Sequence, residues 1–372
     1  MAEKQHAVLS ASSSARWLRC PPSAKLNAEI PDQSSEYAAE GTCAHELAEY
    51  KLKKLLGQPA VDPTENLDYY DQEMNDCTDE YVQYVSEQIA KYTDPVVMVE
   101  QRLDFSHYVP DGFGTGDCVI VADKVLTVID YKHGKGVAVS AEENPQMMCY
   151  ALGALGLFDR LYDIDMIKTV IFQPRIHNVS EYSLSVSNLL DWAENTLRPT
   201  ALLASKGEGE FCAGDHCRFC KVKASCRKRA EYNLELAKYD FAPADTLNNT
   251  EISAILDKAD SLISWAQDVK EYALQNAVAG QKFPGYKVVE GRSNRRYTDE
   301  KAVSAIVSGA GYDPFEKKLL GITAMTKLLG NSVFHELLSD YIYKPQGKPT
   351  LVPESDKRPE FNPAETDFKE DI

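Results

Sequence analysis

Apolar residues recur along this chain in two rhythms. From Glu36 to Gly57, EYAAEGTCAHELAEYKLKKLLG, strong helix formers run up to a closing glycine. With SSSARWLRCPPSAKLN before it, residues 1–60 read as mainly helical, and residues 75–93 as a further helix. The rhythm then changes. PVVMVEQRLDF reads as a strand, and GDCVIVADKVLTVIDYK as two strands around a short turn. NPQMMCYALGALGLF is a helix with Pro145 in its first turn, IKTVIFQPRI a further buried strand, and 188–204 helical again. A cysteine-rich segment follows. A second region begins near residue 236, with helices at 250–278, 299–308 and 323–340 and a polar strand, GYKVVEGRSNRRYT. The end, KPQGKPTLVPESDKRPEFNPAETDFKEDI, is rich in proline and charge and reads as extended or mobile. No internal repeat is visible.

Composition narrows the classes. The chain has 372 residues, 44% hydrophobic and 26% charged, as a globular protein of one or two domains does. No stretch approaches the roughly 18 apolar residues of a membrane span, and MAEKQHAVLSASSSARWLRC has no apolar signal core, so export is not expected. The formal net charge of −17 excludes a general nucleic-acid sponge; any such contact needs a local basic patch. Nine cysteines without an export signal point to metal binding rather than to a disulfide framework.

The apolar strand VLTVIDYKHGKG ends in Asp130 and Lys132, two residues apart and so on one side. A two-residue turn at Asp123–Lys124 sets Ala122 opposite Val125, Val119 opposite Val128 and Asp117 opposite Asp130. Opposed side chains project to the same face, and two facing carboxylates repel unless a cation lies between them. A divalent metal is the natural candidate, since hard cations take carboxylate oxygens. The bland alternative is a hydrated hairpin end, and one extra turn residue would spoil the register. Glu100, on the preceding strand, is a further acid near the site, given little weight.

HCRFCKVKASC supplies a second constellation. Cys217, Cys220 and Cys226 form a C-x2-C-x5-C run, and three thiolates so close favour a soft-metal site. The fourth ligand is open: Cys212 is local and would complete a zinc knuckle, while Cys20 lies far upstream. Cys43, Cys77, Cys118 and Cys149 read as small buried hydrophobes. The cluster segment is also basic, with Arg218, Lys221, Lys223, Arg227, Lys228 and Arg229, either a phosphate track or a solvated face. Arg292, Arg295 and Arg296 are a second candidate patch. Trp17 and Phe219 could stack on bases, although core packing is the commoner role.

A strand-borne Asp117, then Asp130-x-Lys132, then Gln146 and Tyr150 four apart on one helix face, with His45 upstream, is an order that resembles the RecB-like PD-(D/E)xK nucleases. The resemblance covers about residues 9–230. It implies an α/β fold: a restriction-endonuclease-like core, a mixed central β-sheet flanked by helices, followed by a mainly helical C-terminal region. It implies that His45, Asp117 and Asp130 hold Mg²⁺ or Mn²⁺, with the Tyr131 carbonyl contributing. Lys132 would position or activate the attacking water, and Gln146 and Tyr150 would support the site and the DNA. A lone helical histidine is more often packing than ligand; its place in the motif order reverses that. Cys118 after the first acid, with no proline before it, departs from the motif.

One cysteine before the core and three after it, with RCP around Cys20, resembles AddB and the CRISPR-associated RecB-like exonucleases. Those carry a [4Fe–4S] cluster, which implies Cys20, Cys217, Cys220 and Cys226 as its ligands, against structural Zn²⁺ on Cys212. HAVLSASSSARWLRCPPSAKL, EYAAEGTCAHELAEY, FQPR, GDHCRFCKVKASCRKRAE, GRSNRRYTDE and GKPTLVPESDKRP also resemble a phage and prophage family known only by a domain of unknown function. The domains expected are a nuclease domain with its cluster at 1–235, a helical region of unassigned role at 236–345 and an acidic tail at 346–372. The implied activity is metal-dependent DNA hydrolysis by a metal-activated water, as an exonuclease of phage recombination or replication. The implied partners are single-stranded or duplex DNA ends and a phage single-strand-annealing or replication protein. A homo-oligomer is compatible, no membrane partner is expected, and the location is the bacterial host cytoplasm. The alternative is a non-catalytic DNA-binding or assembly subunit that keeps fold and cluster.

Overall fold

Five strands form one mixed sheet in chain order: β1 (Val96–Asp104), β2 (Phe113–Ala122), β3 (Val125–Tyr131), β4 (Met166–Gln173) and β5 (Asn178–Ser185). The computed structural model describes residues 7–31, 36–122, 124–235, 249–290, 297–315 and 318–343. The β2–β3 hairpin pairs Ala122 with Val125 and Val119 with Val128, the register expected of a two-residue turn. Lys124 has φ +66° there, as hairpin turns of the primed type require; Asp123 lies outside the described residues. β3 and β4 are parallel, which demands a crossover. That crossover is α5 (Pro145–Phe158), started by the Asn144 side chain accepting from the Gln146 and Met147 amides.

The sheet separates two cores. On one face, Val119, Val121, Leu126 and Val128 meet α5 together with α1 (Ser14–Arg19), α6 (Val186–Trp192) and α7 (Arg198–Lys206). α5 is apolar nearly all round and correspondingly buried. It approaches β1 so closely that a Cβ on Gly153 would stand 2.8 Å from Leu103 Cβ. On the other face, Cys118, Ile120, Ile129 and Tyr131 meet α3 (Glu36–Leu55) and α4 (Gln72–Ile89). α4 starts where Asp71 accepts from the Met74 amide at 2.8 Å, and it buries Met74, Cys77, Tyr81 and Val85 at helical spacing.

Three elements differ from the sequence expectation. β5 was not foreseen: its inward positions are Asn178, Ser180, Tyr182 and Leu184, too polar to show a strand rhythm, while Val179 faces out. The polar strand expected from 285 to 298 is not one over residues 285–290, and Arg292, Arg295 and Arg296 lie outside the described residues. The helix expected at 323–340 is split into α11 (Ile322–Leu329) and α12 (Asn331–Leu338), because Gly330 takes φ +76°, ψ +155°, a conformation open to glycine.

The chain divides into two compact units, Met1–Val289 and Glu290–Ile372. The first carries the sheet, the short α2 (Ser23–Ala28), α8 (Arg227–Leu234) and the long α9 (Asn249–Val278). The second carries α10 (Glu300–Gly309), α11 and α12. Residues 344–372, which hold the expected tail, lie outside the described residues. Among the described residues no helix is long and apolar enough to cross a membrane.

Candidate functional site

Three carboxylates stand at one level on three neighbouring strands. The β2–β3 ladder stops at Cys118–Ile129, so Asp117 and Asp130 occupy the next opposed position. The β1–β2 ladder pairs Val99 with Cys118 and Gln101 with Gly116, which sets Glu100 opposite Asp117. Asp117 replaces a ladder bond with its side chain: the Tyr131 N–H donates to Asp117 Oδ2 at 2.7 Å. Glu100 has φ +51° inside a strand. That left-handed conformation costs a non-glycine residue about 1–3 kcal/mol.

His45 reaches this row from α3, where Ala44, Leu47 and Ala48 bury the adjoining face. Its Nδ1 lies 3.3 Å from Asp117 Oδ1, and 34% of its side chain remains exposed. The ring meets Tyr131 edge-on, with centroids 5.6 Å apart. Burial opposes charge on this imidazole, yet the Asp117 carboxylate, with Asp130 behind it, holds the His45 pKa up to about 9. Asp117 is correspondingly held low: burial pushes it up, and His45 more than offsets this. His45, Glu100 and Asp117 each offer a ligand atom within 4.8 Å of the other two, the one such group among the described residues.

Asp130 faces the other way. Its side chain is 4% exposed, and Oδ2 lies 2.8 Å from Lys132 Nζ. This ion pair places the ammonium directly against the buried carboxylate oxygen. Oδ1 accepts from Gln146 Nε2 at 3.2 Å, and the same amide nitrogen lies 3.3 Å from the Tyr150 hydroxyl. Lys132 Nζ also approaches Gln146 Oε1, at 3.4 Å. Burial, with Asp117 adding to it, holds the Asp130 pKa above the ordinary carboxylate value. Burial would discharge Lys132, but Asp130 keeps its pKa raised.

The expected residues His45, Asp117, Asp130, Tyr131, Lys132, Gln146 and Tyr150 thus lie together, Tyr131 through its backbone N–H and ring. Glu100 sits among them. Facing acids with an imidazole are a donor set that suits a divalent cation. The sequence carries one signal for Glu100, an acid in a strand beside the hairpin. Its register could not be read, because it depends on how the Phe105–Gly112 connector folds on itself, with Phe105 N–H donating to the Gly112 carbonyl.

The cysteines form a second locus. Cys20, Cys212, Cys217, Cys220 and Cys226 line one small cavity with Arg16, His216 and Arg229. Cys20, Cys217 and Cys220 are buried, whereas Cys212 is exposed. Burial raises the Cys20 thiol pKa, and backbone N–H groups of Cys212 and Ser23 partly oppose this. The Asn27 side-chain amide donates to Cys220 Sγ at 3.3 Å, and Asn27 Oδ1 accepts from the Lys221 N–H at 2.8 Å, tying α2 to the cysteine loop.

The basic run beside it is not a free patch. Arg229 is buried and lies 2.5 Å from Asp268 of α9, and Lys223 lies 2.8 Å from the same carboxylate. Lys221 Nζ donates to the Asn27 and Ile30 carbonyls. Lys228 stands 3.8 Å from Glu231. Arg218 and Arg227 remain exposed. Phe219 is 79% exposed, while Trp17 is wholly buried in the core.

Among solved structures, the chain is similar to a crystal structure from Eubacterium rectale described as a "Putative exonuclease". The two share 13% identity at a TM-score of 0.34, over 66% of this chain and 92% of that one. It is also similar to the crystal structure of SSO0001, at 14% identity and a TM-score of 0.23, over 58% of this chain and 96% of that one. Neither likeness bears on activity. The family model described as "Protein of unknown function (DUF2800)" matches residues 6–359, nearly end to end, and the chain therefore belongs to that family.

Proposed function

We propose that this chain is a divalent-metal-dependent deoxyribonuclease of RecB-like PD-(D/E)xK type, an exonuclease serving phage recombination or replication. The observation that carries the reading is the convergence of His45, Asp117, Asp130, Lys132 and Gln146 at one end of the hairpin. His45, Asp117 and Asp130, with the Tyr131 carbonyl, would hold Mg²⁺ or Mn²⁺. When bound, the ion supplies Lewis-acid stabilisation of charge developing on phosphoryl oxygens. Lys132 presents a cation held in place by Asp130, and can orient a water and stabilise the same charge without occupying a ligand position. Gln146 fixes the rotamer of Asp130, and Tyr150 sits behind Gln146. The intact set of His45, Asp117, Asp130 and Lys132 favours catalysis over a non-catalytic subunit, which has no need for all four.

The cysteine locus on this reading holds a [4Fe–4S] cluster through Cys20, Cys217, Cys220 and Cys226. Cys20, Cys217, Cys220 and Cys226 line one cavity, which supports a shared metal site. Its structural effect would be to join α1 and α2 to the end of the sheet domain.

The test is incubation of anaerobically purified full-length protein with end-labelled single- and double-stranded DNA, with Mg²⁺, Mn²⁺ or EDTA. Metal-dependent degradation that Asp130→Ala abolishes is expected. Undiminished cleavage by that variant would rule out the site.

A further inference from the structure

We propose that Arg102, seated on Phe113 and opposite Thr115, binds a phosphate of single-stranded DNA beside the site of His45 and Asp117. The proposal rests on the nuclease reading and deepens it, naming the form of the substrate and the surface that carries it to the site.

The alternation of side chains along β1 and β2 changes phase near the site. Val97 and Val99 pack with α3 and α4, yet Leu103, an even number of residues on, packs on the α5 side. In β2, Cys118 and Ile120 face α3 and α4. A Cβ on Gly114 would instead stand 2.5 Å from the Tyr150 ring of α5, and one on Gly116 would stand 2.8 Å from Leu103. Successive strand residues project to opposite faces. Arg102, Phe113 and Thr115 therefore stand on the α3 side, from which His45 reaches Asp117. The cover of that face has ended here, and Arg102 and Thr115 are exposed. The two are ladder partners, so their side chains stand next to each other. Thr115 comes two residues before Asp117, roughly 7 Å along the strand.

The guanidinium is held in place without being neutralised. Its carbon lies over the Phe113 ring, 3.8 Å from the centroid. Such stacking restricts an arginine while leaving its N–H donors free. Among the described residues no carboxylate lies within ion-pair distance of it. Asp104, further along β1, accepts from the Ser106 N–H at 2.8 Å and feels Arg102 only through space. Other cations around the site are paired: Lys132 with Asp130, Lys135 with Glu73, and Arg175 with Glu40 and Glu73. In a chain of net charge −17, an exposed cation left without an acid selects an anionic partner. Forked N–H donors beside a hydroxyl are groups that meet phosphate oxygens. A guanidinium with one face on a ring also leaves its second face for an unstacked base. A single strand supplies phosphate and unstacked base together, which selects it over a duplex.

The experiment is fluorescence anisotropy of the full-length protein with a labelled single-stranded oligodeoxynucleotide in EDTA, repeated over a range of salt. Arg102→Gln should weaken binding about tenfold at low salt and flatten the slope of log K against log salt by about 0.7, the share of one phosphate contact on a single strand. Arg102→Lys should keep the slope but bind less tightly than the unaltered protein, since lysine lacks both the fork and the stack. Both variants should keep the unaltered Tm, because the side chain is exposed. A duplex of the same sequence should suffer a smaller loss from Arg102→Gln. Unaltered affinity and slope in Arg102→Gln would overturn the proposal. Equal losses on single strand and duplex would overturn it too, as would an unaltered protein that binds no single strand. If Arg102→Gln binds normally while Asp130→Ala abolishes degradation, the contact falls and the nuclease reading stands. Arg102-dependent binding by a protein that degrades no DNA with Mg²⁺ or Mn²⁺ would support the contact and sink that reading.

Discussion

The Tyr131 N–H donates to Asp117 Oδ2 at 2.7 Å, so a side chain of β2 takes over where the backbone ladder to β3 ends. This bond orients Asp117 while leaving Oδ1 towards His45. We expect Asp117→Asn and Asp130→Ala to lower metal-dependent DNA degradation by roughly 10²-fold or more, the scale of losing charge stabilisation in a preorganised site. The far-UV circular dichroism should be unchanged. Parallel kinetics with Mg²⁺ and Mn²⁺ check this.

The packing of α5 yields a paired prediction. Gly153→Ala would drive a Cβ to 2.8 Å from Leu103 Cβ and 3.0 Å from the Leu103 backbone carbon. Neither can yield cheaply, so a loss of about 1–3 kcal/mol is expected. Gly156→Ala, three residues on, meets nothing within 4 Å. It should stabilise the helix by about 0.5–1 kcal/mol. Urea unfolding of the two variants decides, and equal effects would show that α5 does not lie against β1 as described.

Acid should loosen α9. Burial would raise the Asp268 pKa, but Lys223 and Arg229 hold it below the ordinary carboxylate value. A carboxylate lowered in the folded state stabilises it above the unfolded pKa, near 4, and that contribution is lost as pH falls through the folded value. Amide exchange of α8 and α9 should therefore accelerate below about pH 4. Asp268→Ala, which strands the buried Arg229, should cost about 3 kcal/mol and remove this acid step.

Cysteine variants separate the two metal readings. Cys20→Ser should lose the brown colour and broad absorption near 400 nm, roughly, of an iron–sulfur protein, together with soluble protein. Cys212→Ser, at an exposed position, should be nearly silent. A colourless, zinc-loaded protein from anaerobic preparation, indifferent to Cys20→Ser, would leave the nuclease proposal resting on its acids, His45 and Lys132.

What the sequence determined by itself was local. A two-residue turn between apolar strands sets Val119 opposite Val128 and carries Asp117 to Asp130, because pairing near a tight turn follows from counting. α5 was legible for the same reason, as its cap, Pro145 and apolar run are contiguous. Tertiary structure decided the rest. β5 became a strand because β4 offered an edge, since its inward side is mostly polar. Arg229 of the basic run became internal when Asp268, 39 residues on, took it. Cys20 came to line the same cavity as the later cysteines only once α1 and α2 packed beside that loop. Glu100 came to stand opposite Asp117 across a connector whose length in the fold depends on its own hydrogen bonds. Charges find partners through space, and spacing along the chain does not encode those distances.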